Sequence, residues 1–410
     1  MNQAGLTVLT EIDPGRAGAL QAVLLAVDSR NPFQPAQLLH YAAFVIIPEI
    51  DGIPSRLVFE TNYDGDLHAH LDELIAIAGA DLDNIYGHCK GYPATSAVKK
   101  KDEFKKYLID NSVPSTAFYV ALPGRSRVDI DNAIEVYKVA SAYLESLCNK
   151  PGTSKLSFDD VWDELVAHFR RPTTSPKPIL SSVSQGRLKW RSRLNGILLG
   201  LVAIPLAIVV LPILLLITRF YEWRESRTTF ERKYPVNSQV YEYMNRGREN
   251  HMCTLATVKP SRFRAIMIRL GLLLTNILAN KVFILGHLDT ITTIHFARWS
   301  LIDNNRHVLF LTNYDGSWSS YIDDFSDPPH LNAVWGNTER FPPTRFMLWQ
   351  GARLIQQFQA HVVEEFQPAY FFHRPYRDYT VQNLIRYLEL RDALARRLQA
   401  ERKSEVGRNV

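Results

Sequence analysis

Two identical tetrapeptides carry the sharpest chemical signal in the chain: Asn62-Tyr63-Asp64-Gly65 and Asn313-Tyr314-Asp315-Gly316. An aspartate in such a turn has two uses. As a cap it accepts N–H bonds from the helix that follows, while the glycine supplies an unusual φ. In a pocket between sheet and helix it works as an acid or base. Upstream stand two matching stretches, His40-Tyr41-Ala42-Ala43-Phe44 and His295-Phe296-Ala297-Arg298-Trp299. Strand residues two apart share a face. That rule predicts His295, Ala297 and Trp299 on one side, with Phe296 and Arg298 on the other. A His-Ala-Trp face beside the turn aspartate would line a cofactor pocket; the alternative is a hydrogen-bonded core histidine. Copy two has Arg298 where copy one has Ala43. The second copy is therefore the candidate catalytic one, with Asp315 and His295 for proton transfer and Arg298 as the cation for a peroxide or carboxylate.

Other reactive residues carry less. His68 and His70 with His88 and Cys89 invite a metal reading, but His-x-His on a helix splits the rings between faces. Copy two has Ser319, Tyr321, Asn337 and Thr338 instead. No closed four-ligand set is visible, so no metal is expected. Phosphate-binding glycine loops and serine nucleophile elbows are absent. Lys99-Lys100-Lys101 with Lys105-Lys106 reads either as a solvated helix face or as a contact for anionic lipid.

The elements that must position these residues repeat. Leu57-Val58-Phe59 before the first turn mirrors Val308-Leu309-Phe310, and Leu67, Leu71, Asp72 and Leu74 mirror Trp318, Ile322, Asp323 and Phe325. Ile85-Tyr86-Gly87, Ala117-Phe118-Tyr119 and Asn132 follow in the same order as Val334-Trp335-Gly336, Ala369-Tyr370-Phe371 and Asn383. Each copy reads as strand, helix from about Pro14, two strands, helix at Leu67, strand at Thr116 to Leu122 and final helix. The fold class is α+β. Repeat one is placed at 1–150 and repeat two at 251–398, and each is expected to supply its own strands.

The order β-α-β-β-α-β is that of a ferredoxin-like unit. Two such units in one chain resemble the dimeric α+β-barrel superfamily, which implies an intramolecular barrel. Dye-decolourising haem peroxidases share that duplicated fold and carry a distal aspartate in Gly-x-x-Asp-Gly. Asp315-Gly316 matches the Asp-Gly pair, while Thr61 and Thr312 stand where the leading glycine would be. That likeness implies haem, with His361 or His373 as axial ligand and Trp299 against the cofactor.

Between the copies, Leu194 to Thr218 runs 25 residues without a charge. That is long enough to cross a bilayer. Basic and aromatic residues flank it: Arg187, Lys189, Trp190, Arg191 and Arg193 before, Phe220, Tyr221, Trp223, Arg224 and Arg227 after. Such flanks suit anionic headgroups. Pro205 and Pro212 allow a kinked span or a re-entrant hairpin. The stretch Ala265 to Leu285 reads as an amphipathic surface helix. A Pro/Ser-rich linker (151–193), a juxtamembrane collar (219–250) and a polar tail (399–410) complete the layout. Met1 to Asp13 has neither the basic nor the apolar region of a secretion signal. Both repeats are expected on the cytoplasmic face. A net charge of +5 is too slight to argue nucleic acid, and three cysteines without CxxC spacing suit a reducing compartment. The functional expectation is a membrane-associated oxidoreductase, peroxidase-like and haem-dependent, acting on an apolar substrate. The alternative is a non-catalytic, membrane-anchored binding or scaffold protein of the same fold.

Overall fold

The computed structural model describes residues 3–93, 100–149, 157–180, 185–226, 240–283, 286–288, 291–324 and 329–408. Lys99 and Arg227 lie outside them. From the N-terminus come β1 (Gln3–Glu11), α1 (Ala17–Arg30), β2 (Leu39–Ile47), β3 (Arg56–Asp64), α2 (Leu67–Tyr86), α3 (Lys101–Asp110), β4 (Ala117–Val120) and α4 (Arg127–Cys148). Next are α5 (Phe158–Arg170), α6 (Gln185–Glu225) and α7 (Val240–Met244). The second half contains β5 (Glu249–Thr257), α8 (Arg262–Lys281), β6 (Ile294–Ile302), β7 (His307–Asp315), α9 (Trp318–Asp324) and α10 (Pro329–Trp335). It closes with the short β8 (Thr344–Arg345) and β9 (Trp349–Gln350), α11 (Ile355–Glu365), β10 (Phe366–Gln367), β11 (Ala369–His373) and α12 (Val381–Arg408). The fold is α+β with antiparallel sheets. Pro14 does not open the first helix. Gly15 adopts φ 76°, a left-handed turn, and the helix begins two residues later.

One sheet has the order β1-β3-β2-β11 and the other β10-β5-β7-β6-β4. The expectation that each copy supplies its own strands is therefore overturned. The last strand of each copy pairs with the other copy's second strand: Phe118 lies opposite Arg298, and Phe372 opposite Ala43. Within the sheets the registers match pair for pair. Gln3 faces Asp64 through to Glu11 facing Arg56, and Glu249 faces Asp315 through to Thr257 facing His307.

Alternation along the strands separates two cores. Tyr41, Val45 and Val58 of the first sheet join Leu255, Leu309 and Leu311 of the second in a core between the sheets. Leu57, Phe59 and Tyr63 point the other way, toward Leu20 and Leu24 of α1 and Leu71 and Leu74 of α2.

The apolar segment forms one continuous helix, α6, of 41 residues with Pro205 and Pro212 inside it. It is not a hairpin. Both ends are bonded to the same body. Ser192 Oγ and Asn195 Nδ2 donate to Val282 O and Lys281 O at the C-terminal end of α8. At the other end Tyr221 stacks on Phe263, and Glu225 accepts two bonds from Arg264 at 2.9 and 2.6 Å. Glu222 accepts from Thr344 Oγ1 and from the Phe346 and Met347 amides. So α6 runs antiparallel to α8. Among the described residues α8 is long and apolar enough to cross a membrane. It nevertheless buries Ile268, Leu272 and Ala279 and bonds Asn276 and Asn280 to the β4 backbone. Its opposite stripe, Ile266, Leu270, Leu273 and Leu274, is exposed.

Candidate functional site

The tyrosine, aspartate and glycine of the repeated turn, and the threonine before it, are placed alike in both copies. Thr61 Oγ1 bonds the His70 ring, and Thr312 Oγ1 accepts from Tyr321. Tyr63 stacks on His70 at 4.1 Å, and Tyr314 on Tyr321 at 4.0 Å. Asn62 Nδ2 donates to Asn313 Oδ1 at 3.0 Å, so the two motifs meet between the sheets. Gly65 and Gly316 both adopt φ 82°. The aspartates do not cap the helix that follows; Asp66 does that for α2. Asp64 Oδ2 instead accepts the Arg127 N–H of α4 at 2.6 Å, and Asp315 Oδ2 the Val381 N–H of α12 at 2.6 Å. The other carboxylate oxygens bond the paired histidines: His40 Nε2 at 3.1 Å and His295 Nε2 at 2.6 Å.

The histidines reach these aspartates because each sits on a register shift. Leu39 faces Tyr63 and Tyr41 faces Asn62; Ile294 faces Tyr314 and Phe296 faces Asn313. The extra residue is His40 or His295. A bulge breaks the two-residue alternation, and the predicted His295-Ala297-Trp299 face is lost. His295 turns inward beside Asp315. Trp299 turns to the helix-covered side, where it stacks on Phe310 at 4.7 Å.

Copy two adds a third ionisable group. Glu249 opens β5 opposite Asp315, and its Oε1 lies 3.7 Å from His295 Nε2. Tyr41 donates to the same oxygen at 2.5 Å, while Oε2 is buried without a hydrogen-bond partner. Suitable donor atoms of Glu249, His295 and Asp315 lie within 4.8 Å of one another. Burial pushes the Glu249 carboxyl up to about 7, against the pull of His295 and the Tyr41 bond. Burial also disfavours the charged His295 ring, but Asp315 and Glu249 outweigh it and hold its pKa above the ordinary value. Copy one has Gln3 at the Glu249 position. Its amide bonds Arg125 O and the Gly124 N–H, leaving His40 to pair with Tyr376 Oη at 2.8 Å. Sequence reasoning missed Glu249, Tyr41 and Tyr376. Extending the repeat alignment back to Gln3 would have found the first.

Arg298 shares the inward face but points away from this cluster. It donates to Leu6 O and Thr61 O, both at 2.7 Å, to Thr7 Oγ1 and to Asn62 Oδ1. Glu60 lies 3.6 Å away and bonds His251 at 2.7 Å. Burial raises the Glu60 pKa, but Arg298 and His251 reverse the shift and keep the carboxyl below its ordinary value. The guanidinium thus joins the two sheets rather than facing His295. A Cβ on Gly5 would lie 2.4 Å from Nη2, so glycine there makes room for it.

The haem candidates fall in three separate places. His361 of α11 lines a cavity of about 20 Å3 with Phe310, Trp335 and Phe358. That is room for roughly one water, whereas drug-sized ligands need about 300 Å3 or more. His373 of β11 bonds Asn31 and packs edge-on against Phe33, on the outer side of the first sheet. Trp299 lies in the second sheet. The residues present do not fit a haem. His70 is stacked on Tyr63, and Cys89 accepts from Thr10, so neither joins a metal set with His68 or His88. Lys100, Lys105 and Lys106 pair with Glu103, Asp72 and Asp110, as a solvated helix face does. No family model, curated protein or solved structure matches this chain.

Proposed function

We propose that this protein is a non-catalytic binding or scaffold module held on one leaflet of a membrane, with both repeats on the cytoplasmic face. In this reading the chain is a duplicated ferredoxin-like pair closed into an intramolecular α+β barrel. The observation that carries the proposal is the double tether of α6. Both tethers end on α8, and α8 lies against the second sheet with Asn276 and Asn280 bonded to the β4 backbone, so in this reading the two ends of α6 share that body's side of a bilayer. Pro205 and Pro212 fall between the tethers, where each removes a backbone bond and permits a bend. Exposed Leu201, Val202, Ile213 and Leu216 of α6, with the Ile266–Leu270–Leu273 stripe of α8, give an apolar surface for the acyl region. Arg191, Arg193, Arg219 and Arg224 flank it and complement anionic headgroups. The non-catalytic part rests on the site itself: Asp315, His295 and Arg298 are occupied in holding helices and sheets together.

The test is a labelling experiment on sealed vesicles. Thr173 and Tyr241 are exposed before and after α6. Single cysteines there, in a Cys148→Ser background, should react with an impermeant maleimide from the same side. Reaction from opposite sides would establish a crossing and end the one-leaflet reading.

A further inference from the structure

We propose that Glu249, His295 and Asp315 bind one divalent transition-metal ion of the Zn2+ type. The proposal stands apart from the membrane reading and survives its failure.

The duplication supplies the first argument. Both copies build the same Asp–His pair, and both aspartates hold a helix N–H. In copy one nothing is left over: Gln3 is satisfied by backbone, and His40 is bonded through both nitrogens. Copy two has a carboxylate in place of that amide, and it faces His295, the counterpart of His40. Glu249 is 1% exposed, yet its Oε2 meets no donor. A buried carboxylate oxygen without a partner costs stability unless a proton or cation completes it.

The donor set supplies the second. One imidazole nitrogen and two carboxylate oxygens suit Zn2+ and neighbouring ions better than Ca2+, which takes six to eight oxygens. Donors on a tetrahedral Zn2+ lie about 3.3 Å apart, given bond lengths near 2.0–2.1 Å. Here the His295 nitrogen is 2.6 Å from Asp315 Oδ1 and 3.7 Å from Glu249 Oε1. Binding through Oε1 needs the first pair to open and the second to close by under an ångström each; Oε1 keeps its Tyr41 bond on the other lone pair, and the ion's charge compensates the unpartnered Oε2 of the same carboxylate. The supports of such a site are in place. The Val381 N–H holds the second Asp315 oxygen, and the Tyr41 hydroxyl donates to Glu249. Groups that bond the ligands in this way fix their orientation.

The experiment uses the full-length protein in detergent, stripped with a chelator and titrated with Zn2+ alone. One equivalent should bind with a rise in melting temperature. X-ray absorption should report one imidazole with oxygen donors and no sulfur. Glu249→Gln, which restores copy one's residue type, should lose affinity by more than the roughly 10–100-fold seen when only a ligand's hydrogen-bond partner is disturbed. His40→Gln, in the equivalent copy-one pair, should keep it. Should Glu249→Gln fail to fold, the wild-type measurements still decide. No stoichiometric Zn2+, sulfur ligation, or unchanged binding in a folded Glu249→Gln protein would overturn the assignment.

Discussion

Asp64→Ala and Asp315→Ala probe the repeated turn where it matters most. Each aspartate makes two buried bonds, one to a helix N–H and one to a histidine. An ordinary N-cap loss costs about 0.5–2 kcal/mol. Here truncation also strands a buried imidazole, and breaking a buried pair by removing one partner costs about 3–5 kcal/mol. We therefore expect about 3–5 kcal/mol for each variant in the presence of a chelator, a large share of a typical total of about 5–15 kcal/mol. Urea unfolding in detergent would be followed by far-UV circular dichroism and by tryptophan fluorescence. Residues 1–150 contain no tryptophan and Trp299, Trp318, Trp335 and Trp349 lie in the second copy; Trp162, Trp190 and Trp223, between the copies, would first be replaced by phenylalanine. Because β4 and β11 are exchanged, Asp64→Ala should move the fluorescence midpoint as far as the dichroism midpoint. A cost under about 1 kcal/mol for either variant, or a fluorescence midpoint unmoved by Asp64→Ala, would refute the reasoning.

Two further outcomes follow from buried groups. Burial lowers His70 to about 3, His361 to about 4 and His373 to about 3. All three are held neutral in the fold, while the unfolded chain takes up protons below about 6.5. Their contribution is complete above that pH and is lost as pH falls, by about 1.4 kcal/mol per pH unit for each. Glu249, raised to about 7, takes up its proton in the fold first and offsets about one of the three over the same range; denaturation midpoints should still drop between pH 6 and 4.5, and His361→Leu should flatten the slope by about half. A pH-independent midpoint over that range counts against the buried neutral state. Gly5→Ala would drive a methyl into the Arg298 guanidinium and should cost about 1–3 kcal/mol. Combined with Arg298→Ala, the residue type of copy one at Ala43, its cost should fall short of the sum; strict additivity in a double-mutant cycle would sever that contact.

The parts legible from sequence are those written in residue identity. The turn motif recurs letter for letter and the strand patterns around it are plain, so the α+β class could be read directly. Twenty-five uncharged residues announce an apolar helix whatever surrounds it. What escaped depends on partners or on a one-residue offset. The short strand Ala117–Val120 carries no mark of which sheet it joins, because backbone pairing is indifferent to the donor copy. The bulges at His40 and His295 insert one residue each, and the second one parts His295 from the Ala297–Trp299 face to which strict alternation assigned it. Arg298 looked like a free cation because its four acceptors come from residues some 240–290 positions away.

The repeated aspartate and the exchanged strands explain each other. Asp64 ends β3 in the first sheet, yet the helix it holds, α4, follows β4 in the second sheet. Asp315 ends β7 in the second sheet and holds α12, which follows β11 in the first. Each carboxylate therefore staples a sheet to a helix whose own strand lies in the other sheet. The two helices then pack together, with Tyr137 stacked on Tyr387 at 3.8 Å and Arg391 bonded to Asp129 at 3.0 Å. An aspartate serving as a staple is needed twice, once for each exchanged strand, whereas one catalytic centre would need it once. Its recurrence in both turns, with the same helix N–H and the same histidine, is what a closure device requires. The carboxylate of Glu249, where the first copy has Gln3, departs from that symmetry, as does Arg298 where the first copy has Ala43, but Arg298 is spent on joining the two sheets whereas Glu249 keeps an oxygen without a partner.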